Sequence, residues 1–178
     1  MPTDAAPVRA HAVERSSPGA WLHAFDLERR RQQAVEESRA LTCHGDPELT
    51  RIVDLAAAHY GTAFAAVSII DRRWQVLIAE HGLPDGGGDR SSAFCAIAIQ
   101  TPDAPLVVPD ARADPRLARY ATVVGAPFLR FYAGVPLLDA TGHVLGTVCI
   151  ADRAPRAGPF DATMLTILAR EVERRIQQ

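Results

Sequence analysis

The chain has 178 residues, 48% of them hydrophobic and 22% charged, and a formal net charge of -2. That composition suits one globular domain large enough to bury a core, and it excludes the clustered basic excess that holds nucleic acid or an anionic membrane. No apolar run reaches membrane-spanning length, and "MPTDAAPVRAHAVERSSPG" at the start lacks the charged-then-apolar pattern of a signal peptide. The three cysteines, Cys43, Cys95 and Cys149, form neither a C-x-x-C pair nor a metal-ligand spacing. The expectation is a cytoplasmic protein with three reduced thiols.

Residues 1 to 19, rich in Pro, Ala and charge, read as a disordered tail. From Trp21 to Leu41 the chain has strong helix formers but sparse apolar positions, so residues 20 to 44 read as a helix that buries a narrow stripe against a partner. "DPELTRIVDLAAAHYG" (46–61) is a punctuated helix: Asp46 caps it, Pro47 takes the first helical position, and Gly61 stops it. Its core face is Leu49, Ile52, Val53, Ala56 and Tyr60. "AFAAVSII" and "WQVLIAEHG" are two strands joined by "DRR", and "LPDGGGDRSS" reads as a loop. Ser91 or Ser92 then caps a short helix "AFCAIAIQT", "PLVVPD" is a short strand, and Asp114-Pro115 opens a helix "RLARYATV".

A second hairpin follows, with Phe131, Ala133, Val135 and Leu137 on one face of its first strand and Tyr132, Gly134, Pro136 and Leu138 on the other. Neither face of the returning strand, Val144 to Ala151, is polar, so both are covered. Pro136 lacks an N–H and predicts a bulge or an edge. The last helix has Asp161 as its N-cap and a stripe of Leu165, Leu168, Ala169, Val172 and Ile176. Antiparallel strands with helices at the chain ends define an α+β domain. Its terminal helices cover one face of the sheet, and residues 83–130 cover the other, where a ligand cavity forms most easily.

"AAVSIIDRRWQVLIAEHGL", "SSAFCAIAIQ", "LVVPDARADPRL" and "RFYAGVPLLDATGHVLGTVCIADRAPR" resemble the GAF domains, small sensory and ligand-binding modules, over residues 45–178. The resemblance implies a central antiparallel sheet of five or six strands, end helices on one face, and a pocket under the middle loops. It also implies a homodimer formed through the terminal helices. In the subgroup that this chain looks most like, a His commonly follows "FCA"; here the position is Ile97, so no ligand is carried over from that subgroup. Bilin binders of this fold use a Cys-His pair, whereas Cys95 is followed by Ala96, and no bilin, haem or metal site is evident.

The candidate pocket residues are Trp74, Phe94, Cys95, Asp110, Tyr120 and Phe131. Cys149, on an apolar strand without a basic neighbour in sequence, reads as a core cysteine. Cys95 is the stronger functional candidate, because the first turn of a helix favours thiolate. Its apolar neighbours Phe94, Ala96 and Ile97 argue for a structural role. Asp110 fits a turn lock in "DARADPR" and Asp114 a cap; Arg112, Arg116 and Arg130 either pair with these carboxylates or face an anion. The expected function is a non-catalytic sensory module that binds an unknown small molecule and signals through dimer helices or a partner protein, since no output domain fits in the remaining residues. The alternative is a cysteine-based redox enzyme or sensor, like the methionine sulfoxide reductases of this fold, with Cys95 and Cys149 as its thiols. No nucleic-acid or membrane partner is expected.

Overall fold

The computed structural model describes residues 18–84 and 86–178; the predicted tail lies almost wholly outside them. The elements are α1 (Pro18–Glu37), α2 (Pro47–Tyr60), β1 (Phe64–Asp71), β2 (Trp74–His81), β3 (Gly87–Asp89), α3 (Phe94–Ala98), β4 (Leu106–Val108), α4 (Ala121–Val124), β5 (Phe131–Leu138), β6 (Val144–Asp152) and α5 (Thr163–Ile176). The strands form one antiparallel sheet in the order β3-β2-β1-β6-β5-β4. This is the α+β architecture read from the sequence.

Two apolar cores lie on opposite faces of that sheet. On one face α1, α2 and α5 pack over Ala65, Val67, Ile69, Phe131, Val148 and Ile150. On the other, α3 and the connecting loops cover Phe64, Ala66, Ile70, Tyr132, Cys149 and Ala151. Odd and even residues of the same strand therefore serve different cores, which explains why β1 and β6 are apolar on both sides.

Local chemistry sets the helix ends. Asp46 Oδ1 accepts from the Glu48 and Leu49 amides at 2.8 and 3.3 Å, while Oδ2 binds Arg175 at 2.6 Å and ties α2 to α5. Gly61 ends α2 in the left-handed conformation. Leu49, Ile52, Val53 and Ala56 are buried as the spacing predicts, and Leu165, Leu168, Ala169, Val172 and Ile176 likewise make the buried stripe of α5. Asp161 accepts from the Thr163 amide at 2.9 Å, one position before the N-cap residue Ala162.

Several local expectations are corrected. The glycine run is not all loop: Gly87–Asp89 adds β3 to the edge of β2. Gly87 sits at φ +103°, and a Cβ there would lie 2.0 Å from the Gln75 carbonyl oxygen, so the missing side chain lets the backbones approach. Neither Ser91 nor Ser92 caps α3. Asp89 caps a 3-10 turn at Arg90–Ser92, and Ala93 precedes α3 with no side-chain bond. "RLARYATV" forms turns up to Tyr120 and then the short α4, because the Leu117 and Ala118 amides both close on the Asp114 carbonyl and the chain turns again at Tyr120. Pro136 stays in register with Thr147, and the irregularity falls one step later, between Leu137 and Leu138. The expected edge is present, since β4 pairs no further along β5 than Gly134 and leaves Pro136 unpaired on that side.

The first helix divides in two. Its C-terminal half belongs to the sheet: Ala34 and Val35 are buried, and buried Arg31 donates to the Ile70 carbonyl at 2.7 Å while binding Glu28. Its N-terminal half leaves Trp21, Leu22, Phe25 and Leu27 exposed. The stripe looked thin because an arginine and a glutamine, Gln32, make part of the contact with β1.

Candidate functional site

Between the sheet and the loops over its second face lies a cavity of about 290 Å³. Ala66, Leu77, Phe94, Leu129, Pro127 and Ala151 supply its apolar wall. Exposed Pro84, Gly87, Asp89 and Ala126 also border it, so it opens to solvent at that rim. No arginine, lysine or histidine lines it among the described residues. The buried Thr122 hydroxyl at the cavity has no hydrogen-bond partner among the described residues, an unusual state for a buried polar group.

Cys95 on α3 and Cys149 on β6 both border the cavity, with their sulfurs 3.8 Å apart. Gln75 Nε2 donates to Cys95 Sγ at 3.1 Å and to Ser68 Oγ at 3.0 Å. Tyr132 Oη donates to Cys95 Sγ at 3.4 Å. Gly134 makes that last bond possible: a Cβ there would lie 2.2 Å from the Tyr132 hydroxyl, which lies over the glycine two residues further along β5. Thr147, fully buried beside the sulfurs, has a hydroxyl with no partner at hydrogen-bond geometry among the described residues.

This cluster treats its two thiols differently. The Cys149 thiol, with the Thr147, Tyr132 and Ser68 hydroxyls, holds Cys95 down to about 6 against the opposing effect of burial. Cys149 is pushed well above the ordinary thiol range, first by its hydrogen bond to Cys95, then by burial and by the charge on Cys95, all of which disfavour a second thiolate. Burial, with the charge on Cys95, keeps Tyr132 protonated and able to donate. The sequence pointed to the helix start as the source of thiolate character; α3 has five residues, and side-chain donors from β1, β5 and β6 do this instead.

Of the residues singled out from sequence, Phe94, Cys95 and Cys149 line the cavity, and four others lie elsewhere. Phe131 belongs to the helix-side core, 1% exposed and packed against Phe160 with the rings tilted 54° to each other, because its place in the alternation of β5 points it away from the loops. Trp74 is 59% exposed at the β1–β2 turn. Asp110 locks its own turn, accepting from the Arg112 amide at 3.0 Å and pairing with its guanidinium at 3.2 Å. Tyr120 packs edge-on against Phe94 and borders a separate polar hollow of about 500 Å³ that includes Arg72, Arg73 and Arg90. Arg72 and Arg90 there are engaged by Glu36 and Glu28. Arg116 pairs with Asp114 at 2.6 Å. Arg130 donates to the Val123 and Leu129 carbonyls at 2.9 and 2.8 Å. Sequence reasoning missed Gln75, Ser68 and Thr147, for which polar residues within otherwise apolar strands were the available signal, and it read Tyr132 as a core or interface aromatic rather than a donor to Cys95.

The chain belongs to the GAF domain family, whose model matches residues 44–176. It is 38% identical over 152 residues to a cyclic di-GMP phosphodiesterase of Pseudomonas aeruginosa. That alignment takes in 84% of this chain and 26% of the relative, so the chain spans about a quarter of that protein's length. Its fold is similar to the GAF domain of an Acinetobacter phosphoenolpyruvate-protein phosphotransferase (TM-score 0.60, 17% identity, 86% of this chain and 92% of the other). It is likewise similar to a free methionine-R-sulfoxide reductase of Neisseria meningitidis (TM-score 0.59, 20% identity, 90% and 92%). Among the described residues no helix is long and apolar enough to cross a membrane, and no group of three or more His, Cys, Asp or Glu is placed to hold a metal ion.

Proposed function

We propose that this domain is a non-catalytic sensory module of a reducing, cytoplasmic compartment. Its ligand is a small, mostly apolar, uncharged molecule held in the loop-side cavity. The observation that carries this reading is the cavity itself: about 290 Å³, walled by aliphatic and aromatic side chains, without a cation, and bordered by an unpartnered Thr122 hydroxyl. A phosphate-bearing ligand would find no guanidinium or ammonium to neutralise it there. Occupancy reaches the helices through strand alternation, since Ala66, Cys149 and Ala151 neighbour Ala65, Val67, Val148 and Ile150 on the same strands. The output is a shift in the packing of α1 and α5. The exposed Trp21, Leu22, Phe25 and Leu27 of α1 then meet a second copy or a signalling partner. The similarity to a segment of a cyclic di-GMP phosphodiesterase supports a module that works together with an enzyme.

Native mass spectrometry of freshly purified protein reads ligand and subunit count together. A dimer carrying a small neutral adduct is the expected result. Adding back the released compound at a hundredfold excess over its dissociation constant raises stability by about 2.7 kcal/mol. Bare monomers, with no melting shift from a panel of small apolar compounds, argue against the reading.

A further inference from the structure

We propose that Cys95 and Cys149 form a redox-active dithiol that a small peroxide entering the cavity converts reversibly to a disulfide. The inference goes beyond ligand sensing and does not depend on it. Four observations carry it. The sulfurs lie 3.8 Å apart, so closing to a disulfide takes roughly 1.8 Å of movement, within reach of a side-chain rotation. Both cysteines line a cavity whose rim is open. Gln75 and Tyr132 donate to Cys95 Sγ, and their N–H and O–H stabilise a thiolate there with no cation present. The Thr147 hydroxyl, buried beside the pair, adds a further polar group at the two sulfurs.

The two thiols divide the chemistry. Cys95, favoured as thiolate, attacks one oxygen of the peroxide; the O–O bond breaks, and the departing alkoxide or hydroxide takes up the proton that Cys95 released. Cys95 is then a sulfenic acid. Cys149 attacks that sulfur, the S–O bond breaks, and the hydroxide leaves as water with the Cys149 proton. The two sulfurs together lose two electrons, which the peroxide has gained. An external thiol reverses the reaction by exchange. The product joins α3 to β6 across the edge of the cavity and removes the acceptor that Gln75 and Tyr132 now serve.

Cys43 is the internal comparator. It is more exposed than either partner, and its sulfur contacts the Arg39 carbonyl rather than another thiol. The full chain is treated with hydrogen peroxide, blocked with an alkylating reagent and mapped by non-reducing peptide mass spectrometry. The expected product is a Cys95–Cys149 cross-link, formed before Cys43 is oxidised and reversed by dithiothreitol. The Cys149→Ser protein should accumulate a Cys95 sulfenate that dimedone traps. The Tyr132→Phe protein, which keeps the ring, should move the pH midpoint of Cys95 thiolate absorbance upward from that of the unmodified protein. Oxidation of Cys43 first, or protection of Cys95 and Cys149 until the protein unfolds, overturns the proposal. If Cys149→Ser or Tyr132→Phe fails to fold, the mapping of the unmodified chain still decides it.

Discussion

Replacing Gly146 by alanine destabilises the domain by about 3 kcal/mol or more, the upper end of what overpacking costs. Gly146 is on β6 opposite Ile69 of β1, at the centre of the six-stranded sheet. A Cβ built there would lie 1.8 Å from the Ser68 carbonyl oxygen and 2.8 Å from Ile69 Cα. Both obstacles are backbone, so no side-chain rotation relieves them, and the two strands must part. β1 and β6 carry residues of both cores, so the damage spreads to the helix layer and to the cavity. In a domain of this size about 3 kcal/mol corresponds to roughly 6–12 °C of melting temperature. Gly88→Ala is the control: a Cβ there meets no atom within 4 Å, and its effect should stay within about 0.5 kcal/mol. Urea denaturation of both variants checks the pair. Equal midpoints would mean that the central strands are not this close.

Phe131→Ala should cost about 3–5 kcal/mol, the range for deleting a buried aromatic ring. Phe131 is 1% exposed and packs at 5.4 Å between ring centres on Phe160. The Arg156 guanidinium covers its ring at 5.0 Å and donates to the Tyr60 and Gly61 carbonyls, both at 2.8 Å. One ring thus holds β5, the end of α2 and the segment leading into α5. Its side chain faces away from the cavity, so the folded fraction of the variant should bind small apolar probes with unchanged affinity. Denaturant titration together with probe binding reads both effects. A loss below about 1 kcal/mol, accompanied by weakened probe binding, would place Phe131 in the cavity wall.

The sequence announced the framework because the framework obeys periodic rules. Helical spacing in Leu49, Ile52, Val53 and Ala56, the Asp46-Pro47 start and the apolar strands of the second hairpin are local signals, and the elements stand where those signals put them. The cavity was legible as a place: residues 83–130 contribute much of its wall, and Phe94 and Cys95 line it. Its residue list was less legible, because orientation depends on pairing between distant strands. Phe131 and Tyr132 are neighbours in sequence and face opposite cores. Asp110 and Tyr120 lie in loops whose direction is set by turn hydrogen bonds, which no period encodes. Cys149 looked inert because nothing basic lies beside it in sequence. Its partner arrives from 54 positions earlier in the chain, through packing of α3 on β6. Gln75, Ser68 and Thr147 converge on that pair from three strands, a coincidence that only the fold creates.

The central claim is that the sheet carries a solid core beneath its helices and an open apolar cavity beneath its loops. Methyl-resolved NMR during titration with indole, a flat apolar probe with one N–H donor, tests it most directly. Saturable shifts at the methyls of Ala66, Leu77, Leu129 and Ala151, with those of Leu49, Val53, Leu165 and Val172 unmoved, are the predicted result. Absence of shifts up to the solubility of indole, or shifts centred on the helix-side methyls, would contradict it.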